Sequence, residues 1–207
     1  MRHIGILGGS FNPVHLGHLF IGSTVAEALN LDRLLMIPCA LSPLKLAMAD
    51  ILASDHDRLE MLRLSVAEHG VMEVSDIDIK RGGISYAIHT VKALRECYPG
   101  DRLSFIIGMD ALCELNQWHQ IDEMLSLCDV VTVARPGVER PDLVKRLNFP
   151  LEVQQKLSAN IIQGRLCDVS SSDIRRRIAE GRSISYLVCP AVEAYIKKQG
   201  LYSRLIK

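Results

Sequence analysis

Short apolar runs, several of them closed by glycine or proline, alternate with helical stretches along the chain, and this alternation fixes its architecture. Residues 3–7 form the first run, ended by Gly8-Gly9; 34–39, 103–107 and 129–134 follow, the last closed by Arg135-Pro136-Gly137. The alternation across 71–79 reads as a further strand, and 160–163 as a short one. Between them, 16–29, 57–68, 86–97 and 121–127 carry apolar residues at helical spacing, such as Ile88, Val91 and Leu94. Residues 170–180 and 191–199 close the chain as helices, and 137–157 reads as a variable excursion. Strands joined through helices must run parallel. The expectation is an α/β, doubly wound, mostly parallel sheet with C-terminal helices. Ligands of such sheets bind beyond the carboxyl ends of the strands.

At 207 residues the chain suits one domain, 1–207. Lys plus Arg and Asp plus Glu are both 24, so no broad basic face is available for a nucleic acid polymer, although a local cationic pocket is. The six cysteines, at 39, 97, 113, 128, 167 and 189, show no C-x-x-C spacing, which excludes a zinc ribbon and suggests buried thiols in a reducing cytosol. Residues 4–26 lack charge, but Gly-Gly-Ser, Asn-Pro and two histidines do not suit a lipid-facing helix. The apolar run after Arg2 is too short for a signal peptide. A cytoplasmic protein without a membrane partner is expected, and a homo-oligomer stays open.

The first constellation is Gly8-Gly9-Ser10-Phe11-Asn12-Pro13-Val14-His15-Leu16-Gly17-His18, where the first strand hands over to the first helix. Glycines there admit a phosphate close to the backbone, and the helix start adds N–H donors. The segment is neither the G-x-G-x-x-G fingerprint nor a P-loop. His15 and His18, three apart, project from one side of the helix start, and Gly17 between them offers a floor for a nucleotide. A surface polar pair or a partial metal site are the alternatives. The metal reading lacks a third ligand, and a phosphate-binding pair fits best.

The second constellation is Ser170-Ser171-Ser172-Asp173-Ile174-Arg175-Arg176-Arg177. Ser170 with Asp173 is a capping pattern, so a helix starts here. Three arginines in its first turns oppose the helix dipole, an arrangement an anion at the helix start would reverse. The alternative is a solvated basic face.

Together the two segments resemble the nucleotidyltransferase superfamily, with its (His/Thr)-x-Gly-His and Ser-(Ser/Thr)-x-x-Ile-Arg motifs. The resemblance narrows to bacterial nicotinate mononucleotide adenylyltransferases through Arg81-Gly82-Gly83-Ile84-Ser85-Tyr86, residues 105–112, Trp118-His119, Ala134-Arg135-Pro136-Gly137 and the ending Gly200-Leu201-Tyr202. It covers nearly the whole chain. Two positions depart: Leu44 and Ala87 stand where the family commonly has histidine and threonine.

The resemblance implies a Rossmann-like fold and transfer of AMP from ATP to nicotinate mononucleotide, giving deamido-NAD and pyrophosphate. His15, His18, Lys45 and Arg175 would be the catalytic side chains. ATP would bind through Gly8, Gly9, Ser10, Phe11, Gly17, Gly108, Asp110, Ser171, Ser172 and Ile174 besides His15, His18 and Arg175. The part from about 165 onward would complete that site. The mononucleotide would meet Asn12, Lys45, Ser85, Tyr86, Ala87, Trp118, His119 and Arg135. Mg²⁺ would arrive with ATP, and no protein metal site is implied. Read without the family, Asp110 fits a helix N-cap and Trp118 a core residue. The alternatives are a nicotinamide mononucleotide adenylyltransferase, a pantetheine-phosphate or cytidylyl enzyme, and a non-catalytic nucleotide-binding module. The second group usually has shorter chains without the Trp118 region.

Overall fold

The computed structural model describes residues 1–43, 53–134, 147–165 and 167–203. Six strands, β1 (His3–Gly9), β2 (Arg33–Pro38), β3 (Met72–Val74), β4 (Arg102–Gly108), β5 (Asp129–Ala134) and β6 (Ile161–Gln163), form one sheet in the order β3-β2-β1-β4-β5-β6. Every pairing is parallel, with Ile6 opposite Leu35 on one side and Phe105 on the other. The chain winds outward from β1 in one direction and then, from β4, in the other. The order therefore reverses between β1 and β4, and that gap is the switch point of a doubly wound sheet.

Among the described residues the helices are α1 (Leu16–Leu29), α2 (Asp55–Val66), α3 (Ile77–Arg81), α4 (Ala87–Cys97), α5 (Met109–Cys113), α6 (Ile121–Leu127), α7 (Leu151–Ala159), α8 (Ser171–Ala179) and α9 (Pro190–Gln199). The strand period of two sorts the core onto both faces. Ile4, Ile6, Leu35, Ile37, Leu103, Phe105 and Ile107 meet Ile88, Val91 and Leu94 of α4. Leu7, Leu34, Met36 and Ile106 face the other way, toward Val25 of α1, Met61 and Leu62 of α2, Ile174 of α8 and Val192 and Ile196 of α9. Burial on both faces is why these strands read as nearly continuous apolar runs.

Three expectations are corrected. The 71–79 run is not one strand: β3 stops at Val74, and α3 follows, stapled by Asp76–Lys80 at 3.1 Å and Asp78–Arg81 at 2.8 Å. Gly82 at φ 69° ends α3 in a conformation that favours glycine. The excursion at 137–157 contains α7, anchored by buried Leu157 behind buried Leu147 and Phe149, while 137–146 lies outside the described residues. The thiols are not uniformly buried. Cys128 is, and burial pushes its thiol up to about 12, but Cys97 and Cys113 are exposed and the other three half-buried. All six are free.

Candidate active site

His15 caps the N-terminus of α1 with extended backbone, φ −145° and ψ 169°. Its own N–H donates to Nδ1 of His18 at 3.2 Å. That bond requires a bare Nδ1 on His18 and so leaves the ring proton on Nε2. The two imidazoles lie against each other, centroids 3.7 Å apart and tilted by 30°, and Phe11 meets the His18 ring edge-on at 4.9 Å. His15 is only 8% exposed, and its Nδ1 is buried with no hydrogen-bond partner among the described residues. Desolvation lowers its pKa to about 4, so near neutral pH it is an uncharged imidazole.

The expected floor at Gly17 has a different physical basis. Gly17 is buried, and a Cβ there would lie 3.0 Å from His15 Nδ1 and 3.1 Å from its Cε1. The missing side chain leaves room for the neighbouring imidazole. Gly17→Ala is therefore expected to cost about 1–3 kcal/mol by overpacking, because the His15 ring has no solvent side to retreat to. Thermal unfolding of the two proteins measures it.

The buried neutral His15 also sets a pH response. Its folded pKa, about 4, lies below the unfolded 6.5, so the unfolded chain binds the extra proton first as pH falls. Stability is expected to drop between pH 6.5 and 4 by about 3 kcal/mol and then level off. Chemical denaturation across that window should show the slope in the wild-type protein and a flatter profile in His15→Gln.

Helix α8 is fastened onto this turn from the far end of the sequence. Ser170 Oγ accepts from the Asp173 N–H at 3.1 Å, which is the expected cap. Ser171 Oγ donates to Pro13 O at 2.8 Å, Arg175 Nη1 to Asn12 O at 2.7 Å and Arg175 Nη2 to Ser172 Oγ at 3.2 Å. Ile174 is fully buried beneath them. Because α8 ends at Ala179, Arg176 and Arg177 fall in its last turn, where the dipole favours cations. The expected opposition of three arginines to the dipole is thus overturned. Arg176 pairs with Asp173, and Arg177 Nε donates to Ser183 O at 2.8 Å. The start of α1 is partly committed too, since the Leu16 N–H donates to Leu187 O at 2.9 Å.

A cavity of about 410 Å³ opens at the switch point, beyond the carboxyl ends of β1 and β4. Gly8, Gly9, Ser10 and Gly108 line its sheet side, and Ser85, Tyr86, Ala87, Trp118 and His119 its outer wall. A 3₁₀ turn, Leu115–Gln117, delivers Trp118, whose ring meets Phe105 edge-on at 6.0 Å and 87°. Tyr86 and His119 rings lie 4.5 Å apart. The loop before α4 is stitched to the end of β2: the Ser85 N–H donates to Leu41 O at 2.8 Å, and Ser85 Oγ accepts from the Ala40 N–H at 3.0 Å.

The residues expected from the sequence thus form two adjacent groups. Ser85, Tyr86, Ala87, Trp118 and His119 share the cavity with Gly8, Gly9, Ser10 and Gly108. His15, Gly17, His18, Ser171, Ser172, Ile174 and Arg175 gather around the β1–α1 turn, with Phe11 buried beside His18. Asp110 is exposed within the first turn of α5; the N-cap is Gly108, so the capping reading of Asp110 is corrected. Asn12 is only 2% exposed, and its Oδ1 accepts from the Ala53 N–H at 3.0 Å and from Tyr202 OH at 2.7 Å. It is a hub joining α8, the C-terminal tyrosine and the start of α2. Lys45, Leu44 and Arg135 lie outside the described residues. Two polar groups escaped the sequence reading. Asp78 lines the cavity, buried, accepting from Thr90 Oγ1 at 2.7 Å. Arg58 is wholly buried under the β1 and β2 ends; its signal was a charge four and eight residues before Leu62 and Val66, on the apolar stripe of α2.

A doubly wound sheet with a histidine pair at its first turn and a cavity at its switch point is the build of a nucleotide-handling protein. The sequence pattern described as "Cytidylyltransferase-like" matches residues 6–177. Relatives named "Probable nicotinate-nucleotide adenylyltransferase" include one from Geotalea daltonii, 40% identical over 97% of this chain and 98% of its own. Another, from Roseiflexus sp., is 41% identical over 96% and 97%. The chain belongs to the cytidylyltransferase-like family and, within it, to the nicotinate-nucleotide adenylyltransferase family. In fold it is similar to Plasmodium falciparum nicotinic acid mononucleotide adenylyltransferase complexed with NaAD, with TM-score 0.75 at 16% identity and both chains fully covered. The same enzyme complexed with APC gives TM-score 0.73. Among the described residues no helix is long and apolar enough to cross a membrane.

Proposed function

We infer that this chain transfers AMP from ATP to nicotinate mononucleotide, releasing pyrophosphate and forming deamido-NAD, a step of NAD biosynthesis. The observation that carries the reading is the cavity walled by Ser85, Tyr86, Ala87, Trp118 and His119 beside the stacked His15–His18 pair. The mononucleotide phosphate is the nucleophile. One of its oxygens bonds to the α-phosphorus of ATP while the bond from that phosphorus to the pyrophosphate oxygen breaks. With a second pKa near 6 the phosphate is already ionised near neutral pH, so no general base is needed. Catalysis then rests on alignment and on donors aimed at the charge that develops. His18 supplies its Nε2–H, His15 an uncharged imidazole, and Arg175 a guanidinium held at the turn by Asn12 O; Lys45 is assigned to the same task.

Mg²⁺ is proposed to accompany ATP. Among the described residues no group of three or more His, Cys, Asp or Glu side chains converges, which suits an ion carried on phosphate oxygens rather than in a protein cage. Bound there, it would neutralise part of the triphosphate charge. The part from about 165 onward completes the ATP side through Ser171 and Arg175, and a cytoplasmic location fits the reaction.

Pyrophosphate release from Mg-ATP with nicotinate mononucleotide, nicotinamide mononucleotide, phosphopantetheine and a cytidylyl acceptor tests the assignment. Robust turnover with the first is expected; none with it overturns the reading. Arg175→Ala is expected to raise the KM for ATP by about tenfold, the worth of one charged hydrogen bond. Arg176→Ala and Arg177→Ala should change it less, since neither side chain bonds to the β1–α1 turn. Equal effects at all three positions would indicate a diffuse basic face instead.

A further inference from the structure

Arg58 is among the largest side chains with no exposure at all, and it carries a charge. It leaves α2 on the face of Leu62 and runs under the ends of two neighbouring strands. Its Nη1 donates to Ser10 O at 2.9 Å and to Cys39 O at 2.8 Å, and its Nη2 pairs with Asp55. Ser10 follows β1, Cys39 follows β2, and both line the cavity. One planar group therefore ties together the floor of the cavity from beneath.

Stability does not account for this arginine. Among the described residues its Nε is buried without a partner, and the carboxylate it pairs with is half exposed at 51%. A buried, incompletely satisfied guanidinium is a poor stabiliser compared with an apolar side chain of similar size. The geometry of the peptide planes supplies another reason. In a trans peptide the N–H points opposite to the C=O it follows. By drawing the Cys39 carbonyl toward α2, Arg58 turns the Ala40 N–H away from itself, and that N–H holds Ser85 Oγ at 3.0 Å in the cavity wall. By drawing the Ser10 carbonyl the same way, it turns the Phe11 N–H outward and keeps a carbonyl oxygen from confronting an anion.

We propose that Arg58 is a positioning residue for the mononucleotide: it sets the Ser10 and Cys39 peptides, and through Ala40 it sets Ser85. Cys39 leads through Ala40 to Ser85 in the wall that holds Trp118, and Ser10, although it opens the β1–α1 turn, also lines that cavity, so the larger effect falls on the mononucleotide. The inference rests on the substrate reading above.

The test compares Arg58→Lys and Arg58→Met with wild-type enzyme, with rates normalised to folded protein. The KM for nicotinate mononucleotide is expected to rise at least tenfold in both, while the KM for ATP changes less than threefold. An ammonium cannot hold both carbonyls in the plane that the guanidinium does, so lysine should not rescue. Unchanged KM values accompanied only by a lower Tm, equal rises for both substrates, or full rescue by lysine each overturn the proposal. Asp55→Asn, at a half-exposed site, serves if the Arg58 variants do not fold. It loosens Nη2 and should raise the mononucleotide KM about two- to fivefold, in line with one part-exposed ion pair; no change overturns the proposal. Wild-type turnover is the control. If wild-type enzyme ignores nicotinate mononucleotide, the substrate reading fails, and calorimetric Kd values for nicotinamide mononucleotide and ATP in the same variants still decide whether Arg58 acts on the cavity alone.

Discussion

His18→Ala is expected to lower kcat by roughly 10²–10³-fold, the usual loss when one preorganised donor to a developing anion is deleted. The ring is fixed on three sides. His15 stacks on it at 3.7 Å, Phe11 meets it at 4.9 Å, and the His15 N–H occupies its Nδ1. This leaves one orientation in which the Nε2–H is presented, without the entropy cost of ordering it during the reaction. The donor strengthens as charge moves onto the departing pyrophosphate, so kcat should fall more than the KM for ATP rises. Folding should be little affected. The His15 N–H loses an acceptor at a helix end, worth about 1 kcal/mol, and the side chain is only half-buried. Single-turnover rates at saturating ATP and mononucleotide check this. A variant within threefold of wild type would remove His18 from the chemistry.

What the sequence reveals about this molecule divides along physical lines. Where one local force dominates, the reading holds. Doubly buried strands are nearly continuous apolar runs, so β1, β4 and β5 are legible, and Ser170 with Asp173 marks the start of α8 because a side-chain cap is a local bond. Where two periods coincide, it fails. Ile77 and Ile79 alternate like a strand, but Asp76, Asp78, Lys80 and Arg81 pair at helical spacing, and the paired helix wins. The arginines of α8 were misjudged because dipole arguments depend on helix length, and a nine-residue helix puts Arg176 and Arg177 at its far end. Within the site, the His15–His18 pair was legible from spacing alone. The hub that Asn12 forms, at a position itself expected in the site, was not, since its partners lie far away in sequence. Arg175 reaches Asn12 across 163 positions and Tyr202 reaches it across 190. No local pattern encodes such contacts.

Discrimination between nicotinate and nicotinamide mononucleotide is expected to reach at least ~10²-fold in kcat/KM, in favour of the acid. The two substrates differ only in a carboxylate against a carboxamide on a ring of the same shape, so the wall of the cavity must tell them apart by charge and by hydrogen bonding. Stacking on Trp118, which Phe105 holds edge-on, would bind both rings alike. The difference arises at α4. Its first residue, Ala87, lines the cavity, and an N–H in the first turn of a helix has no preceding turn to accept it. The neighbouring Tyr86 N–H is already committed to Ile84 O at 3.1 Å, which narrows the donors on this side to the helix start itself. The first turn of α4 carries no acidic residue, so nothing there offsets the positive end of its dipole. A carboxylate satisfies such donors with either oxygen. A carboxamide presents one oxygen, and its NH₂ must then face an N–H of the wall near Ala87 or His119. Each donor left opposed in a buried site costs about 1–3 kcal/mol. Ala87 carries no side-chain hydroxyl to accept from that NH₂, so the wall offers the amide no compensating bond at this position. Initial rates against each mononucleotide at fixed Mg-ATP measure the ratio. A value near one, or a preference for the amide, would overturn the substrate assignment and leave the adenylyl transfer at His15 and His18 untouched.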